Sequence, residues 1–107
     1  MISTHILDTS VGFPAKEVTV ELAKYVENNW KELSVQKTNS DGRISFDVPF
    51  EKGVYRLKFK TEDYFKRNGV EAFFPVSPVV FHITDISRKY HIPLLLNPFG
   101  YSTYRGS

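Results

Sequence analysis

Apolar and polar residues alternate with a period of two along most of this chain, the signature of strands buried on one face only. Val18, Val20 and Leu22 interleave with Glu17, Thr19 and Glu21. Leu33 and Val35 face one way, with Glu32, Ser34 and Gln36 facing the other. Ile44, Phe46 and Val48 alternate up to Pro49, Tyr55, Leu57 and Phe59 interleave with Arg56 and Lys58, and Val79, Phe81 and Ile83 repeat the pattern. Residues 3–8 and the stretch from Tyr90 to Leu96 predict strands near the two ends of the chain. Pro93 inside the latter points to an edge strand or a bulge, because proline lacks the N–H that an interior ladder needs. Gly12-Phe13-Pro14-Ala15 reads as a loop. Asn28-Asn29, Asn39-Ser40-Asp41-Gly42, Lys52-Gly53 and Asn97-Pro98 read as turns.

One segment breaks the period-two pattern. Residues 62–68 predict a short helix, with Thr61 as its N-cap, Glu62 and Asp63 in the first turn, Lys66 and Arg67 in the last, and Asn68-Gly69 as the stop. Seven or eight short strands, one helical turn and a turn signal about every ten residues predict an all-β fold, an antiparallel β-sandwich. At 107 residues the whole chain, 1–107, is expected to form one domain.

Composition narrows the function. Fourteen basic against twelve acidic residues leave a net charge of only +2, with no basic run, so the charge gives no argument for nucleic acid. The absence of cysteine removes disulfides, thiolate catalysis and thiolate metal sites. No signal peptide is visible at Met1-Ile2-Ser3-Thr4-His5, no apolar run is long enough for a membrane span, and the ending is not a peroxisomal signal, so the default location is cytoplasmic. The last seven residues, Tyr101-Ser102-Thr103-Tyr104-Arg105-Gly106-Ser107, combine two tyrosines with an arginine. Aromatic rings gain most when buried and arginine offers a planar fork of donors, so this tail is expected to dock.

The three histidines, His5, His82 and His91, are the side chains best suited to move protons near neutral pH. His82 is the weakest candidate, because Phe81 and Ile83 beside it read as core and turn it to the other face. Arg43, just after the Asp41-Gly42 turn, reads either as a surface charge or as an anion clamp held by a rigid turn. Arg105 has the same two readings. No His-x-x-x-His pair or matched carboxylates suggest a metal, no Gly-x-Ser-x-Gly elbow suggests a serine triad, and no Gly-rich loop suggests phosphate.

Four segments together resemble one family. Ser3-Thr4-His5-Ile6-Leu7-Asp8 followed by Gly12-Phe13-Pro14-Ala15 is similar to the start of the transthyretin-related proteins. Thr38-Asn39-Ser40-Asp41-Gly42-Arg43 resembles their Thr-Asn-x-Asp-Gly-Arg turn, and Tyr90-His91-Ile92-Pro93-Leu94-Leu95-Leu96 resembles their Tyr-His-(Val/Ile)-Pro-Leu-Leu-Leu strand. The final Tyr104-Arg105-Gly106-Ser107 carries the signature of the 5-hydroxyisourate hydrolase branch. The resemblance spans residues 2–107. Two departures stand out: Lys89, where many members have another histidine, and Asn97, in place of a frequent serine.

The resemblance implies a transthyretin-like sandwich with one short helix, assembled as a homotetramer, a dimer of dimers with sites in a channel between dimers. It implies hydrolysis of 5-hydroxyisourate to 2-oxo-4-hydroxy-4-carboxy-5-ureidoimidazoline in purine catabolism, without metal or cofactor. By motif position the implied catalytic residues are His5, Arg43, His91 and Ser107, with Tyr104, Arg105 and Gly106 joining them in substrate binding. In this reading His91, assisted by His5, deprotonates a water and Arg43 stabilises the oxyanion. The tail closes the site, and Ser107 acts through its carboxylate rather than as a nucleophile. Gly106 lets the backbone pass close to substrate or a neighbouring subunit. The rival readings are a noncatalytic transthyretin-like carrier of a small ligand, which would lack the Tyr-Arg-Gly-Ser ending and the His5, Arg43 and His91 set, and an immunoglobulin-type sandwich, which would have no need of a docked tail.

Overall fold

Alternation becomes layering in the computed structural model, which describes residues 1–107. The elements are β1 (Ile2–Asp8), β2 (Phe13–Pro14), β3 (Thr19–Val26), β4 (Asn29–Lys37), β5 (Arg43–Phe46), β6 (Gly53–Phe59), α1 (Thr61–Arg67), β7 (Ser77–Ile83), β8 (Tyr90–Asn97) and β9 (Gly100–Thr103). One sheet runs β2-β1-β8-β9, with β5 covering the first half of β1 on the same side as β2. The other runs β4-β3-β6-β7. The core lies between the sheets. Ile2 and Ile6 enter it from β1, Val20 and Leu22 from β3, Leu57 and Phe59 from β6, and Leu94 and Leu96 from β8, all at 2% exposure or less. Each such side chain contributes about 1.5–3 kcal/mol of burial free energy, as an upper estimate. No helix is long and apolar enough to cross a membrane.

The sandwich with one short helix is as expected, and several details differ. The pairing is antiparallel except between β1 and β8, which run parallel with Ser3 beside His91 and His5 beside Pro93. Strands joined by tight turns must be antiparallel, but β1 and β8 meet from opposite ends of the chain and are free of that constraint. Pro93 is therefore buried in an interior strand, not at an edge or a bulge. Phe13–Pro14, expected as loop, adds a two-residue strand to β1. A bulge does occur, at Leu22/Ala23: Leu22 pairs with Ser34 and Ala23 with Glu32, leaving Leu33 without a partner. The extra residue lets Leu33 pack on the core while Val35 remains 51% exposed, so the two do not share a buried face. Thr61 is the first helical residue and not a cap; its hydroxyl is hydrogen-bonded to that of Ser77 at 3.0 Å.

Candidate functional site

The period of two that buries Ile2, Thr4, Ile6 and Asp8 of β1 turns Ser3, His5 and Leu7 to the outer face of the sheet. Register then decides their neighbours. On one side β5 places Arg43 opposite His5 and Ser45 opposite Ser3. On the other, β8 places His91 beside Ser3. Directly paired residues hold their Cβ atoms about 4.5–5.5 Å apart, so three strands gather two histidines, an arginine and two serines on one patch.

The turn before β5 fixes Arg43. Asn39 Oδ1 accepts hydrogen bonds from the backbone N–H of Asp41 at 2.9 Å and of Arg43 at 3.0 Å. Gly42 adopts φ 72°, and a Cβ there would stand 2.6 Å from the Ile6 carbonyl oxygen, so the position excludes any side chain on both counts. The Gly42 carbonyl accepts from Ile6 N–H at 2.8 Å, which ties the turn to β1. Arg43 is thus an exposed side chain on a rigid base.

The tail docks chiefly through its backbone, while the Tyr104 ring, expected to be buried, stays 60% exposed. β9 pairs with β8 as far as Leu94 and Thr103. The ladder is interrupted at Pro93, which has no N–H to give, and resumes as an isolated bridge between His91 and Gly106, with Gly106 N–H donating to the His91 carbonyl at 2.8 Å. The Thr103 hydroxyl donates to the Pro93 carbonyl at 2.7 Å and spans the interruption. A Cβ on Gly106 would lie 2.6 Å from His91 Cδ2 and 3.0 Å from Pro93 Cγ. The close neighbour of Gly106 is therefore the His91 ring of the same chain.

His91, Arg43, Lys89 and Ser107 line an open cavity of about 380 Å³, together with Ser3, Asn39 and Ser45. His5 stands beside it through its pairing with Arg43. Tyr104 and Arg105 are not in this cavity. They border a second one of about 200 Å³, which His91 and His82 also reach. The Arg105 guanidinium stacks 4.2 Å from the centre of the Tyr90 ring. His82 is exposed on β7 of the opposite sheet.

Charge and burial set the protonation states. Desolvation lowers the His91 pKa below the usual 6.5, and the positive charges of Arg43, His5 and Lys89 lower it further. His5 is also lowered, by desolvation first and then by Arg43, against opposition from the Asp41 carbonyl and carboxylate. Both shifts favour the neutral imidazole at pH 7, and a neutral imidazole is a proton acceptor. The Tyr90 hydroxyl accepts from the N–H groups of Thr84 and Asp85, each at 3.0 Å. Bonding to Thr84 foremost, helped by Asp85 and Arg105, draws its pKa down to about 8. A neutral base that shares a cavity with two cations, Arg43 and Lys89, can deprotonate water and have the resulting oxyanion stabilised beside it. Sequence reasoning missed Ser3, whose oxygen lies 2.8 Å from His91 Nδ1. Its place two residues before His5 on a strand was the available signal, because that spacing puts both on one face.

Known proteins share this fold. The family described as HIUase/Transthyretin matches residues 2–106. A 5-hydroxyisourate hydrolase of Halalkalibacterium halodurans is 47% identical over 115 residues, covering 99% of this chain and 97% of that protein. The solved 5-hydroxyisourate hydrolase of Klebsiella pneumoniae superposes with a TM-score of 0.87 at 41% identity, covering 99% of this chain and 98% of the other. Sea bream transthyretin in complex with thyroxine superposes with a TM-score of 0.93 at 31% identity, covering 98% and 93%.

Proposed function

The chain belongs to the HIUase/transthyretin family, and on that premise we propose that it hydrolyses 5-hydroxyisourate in urate degradation. The observation that carries the proposal is the single cavity faced by His91, Arg43 and the end of the tail, with His5 in register beside Arg43. His91 takes a proton from a water as its oxygen attacks a ring carbonyl. Arg43 stabilises the oxyanion, the ring C–N bond breaks, and the proton on His91 passes to the departing nitrogen. His5 stays neutral beside Arg43 and orients water or substrate. Lys89 and Arg43 attract an electron-rich, carbonyl-dense substrate. Ser107 closes one wall of the cavity. Tyr104 and Arg105 act from the neighbouring cavity, Arg105 by holding the tail in place. The functional assembly is a homotetramer, a dimer of dimers, and the chain works as one domain.

A carrier reading has one observation in its favour, since the superposition on sea bream transthyretin scores above that on the hydrolase. Backbone likeness does not separate the two activities, and the His–Arg–His grouping favours the enzyme. Freshly made 5-hydroxyisourate, generated by urate oxidase and followed as it decays, decides between them. An enzyme accelerates the decay and His91→Ala abolishes the acceleration. A carrier leaves the decay unchanged or slows it, which would end the hydrolase proposal.

A further inference from the structure

His91 carries more restraint than a surface histidine needs. The parallel register of β1 and β8 sets Ser3 at its flank, and Ser3 Oγ lies 2.8 Å from Nδ1. The opposite edge of the ring, at Cδ2, lies against Gly106, where even a methyl group would stand only 2.6 Å away. Gly106 is itself tied to the His91 backbone by its N–H. The ring is held on two sides, at Nδ1 and at Cδ2, and neither contact involves Cε1 or Nε2.

A neutral imidazole carries one proton on one of two nitrogens, and the partner of one nitrogen decides the tautomer. A base acting through Nε2 needs its proton on Nδ1, and Nδ1–H needs an acceptor. The oxygen found there belongs to Ser3. Asp and Glu side chains commonly serve this purpose, but a carboxylate would raise the basicity of His91 and compete with substrate for Arg43. A hydroxyl, which both donates and accepts, is able to accept that proton without adding charge to a cavity that faces Arg43 and Lys89.

We infer that Ser3 is a positioning residue for His91: its hydroxyl accepts the Nδ1 proton and so presents the Nε2 lone pair to the cavity. The inference rests on the hydrolase reading for its kinetic consequence, but not for its structural one. Nitrogen NMR of ¹⁵N-histidine-labelled protein, at a pH of about 8 where the imidazoles are neutral, reads the tautomer without substrate. The expected result is an Nδ1–H form in the parent and in Ser3→Thr, and a shift to Nε2–H in Ser3→Ala. In turnover, kcat of Ser3→Ala falls about 10- to 100-fold with KM unchanged, less than loss of the whole base because a minority tautomer still acts, while Ser3→Thr retains most of the rate. An Nε2–H tautomer in the parent, or a Ser3→Ala variant with unchanged tautomer and kcat, overturns the inference. A parent protein that shows the Nδ1–H form but fails to accelerate 5-hydroxyisourate decay overturns the hydrolase reading instead.

Discussion

Replacing Gly106 with alanine adds a single methyl group at the tightest point of the site. The ideal Cβ lies 2.6 Å from His91 Cδ2, 3.0 Å from Pro93 Cγ and 3.2 Å from Pro93 Cδ, whereas ordinary contact begins near 3.4 Å. Pro93 belongs to an interior strand and cannot give. Relief must come from the His91 ring or from the tail, and either must move by roughly 0.8 Å. Moving the ring strains its bond with Ser3; moving the tail strains the bond from Gly106 N–H to the His91 carbonyl. A misplacement of about 1 Å costs a catalytic group on the order of 100-fold, so kcat/KM should fall about 10- to 100-fold, or about 1.4–2.7 kcal/mol of barrier. Global stability should fall by no more than about 1.5 kcal/mol, since one hydrogen bond outside the core is at stake. Gly100→Ala is the control, because nothing lies within 4 Å of its would-be Cβ. The assay is the initial rate of 5-hydroxyisourate loss, paired with amide exchange at residue 106. A Gly106→Ala variant with parental kcat/KM and a protected amide would refute the claim that close packing on His91 matters.

Three other expectations follow from the same structure. Because the His91 pKa lies below 6.5, kcat/KM should rise with pH through that lowered value and level off before neutrality, and Lys89→Glu should move this acid limb upward. With His5 and His91 both lowered in the folded state, the unfolded chain binds protons first as pH falls, so their contribution to stability is complete above 6.5 and declines below it, as pH-dependent thermal melts would show. Tyr64→Phe removes the 2.8 Å hydrogen bond that Tyr64 donates to the buried Asp8 carboxylate, and should cost about 1–3 kcal/mol, roughly 4–8 °C in Tm per kcal/mol, with turnover unchanged. Arg105→Ala removes the stack on Tyr90, about 0.5–1 kcal/mol at this exposed position, and should speed amide exchange at Gly106, lower kcat/KM and lower the melting temperature by about 2–8 °C.

Local physics was legible in the sequence and long-range pairing was not. Val18, Val20 and Leu22 announced their burial by alternation, and so did Tyr55, Leu57 and Phe59, because a strand's two faces are written directly into its residue order. The Asn39-to-Gly42 turn was legible for the same reason, since its positive φ at Gly42 is a demand a residue type can answer. The parallel meeting of β1 and β8 had no local signal, and Pro93 was misjudged as a result: its missing N–H looked like a mark of an edge, whereas its effect is to interrupt pairing with the tail. The bulge at Leu33 belongs to the register between two strands and to neither strand alone. In the site, the family resemblance pointed to His5, Arg43 and His91, which the three strands do gather. Arg105 stacks on Tyr90, a contact that had no signal in the sequence because it depends on which face of the sheet edge the tail follows.

The parallel pairing of β1 with β8 also orders events in time. Residues 2–8 leave the ribosome before the strands they pair with, and β5 soon offers them an antiparallel partner, so His5 and Arg43 can come together early in synthesis. The flank that receives β8 has to wait for residues 90–97, and the bridge to Gly106 for the segment after β9. Such late, long-range closure makes for slow folding and leaves β1 half-paired meanwhile, exposed to other nascent chains. A site that joins β1 to β8 also depends on synthesis passing residue 90: a chain stalled before it holds His5 and Arg43 without His91.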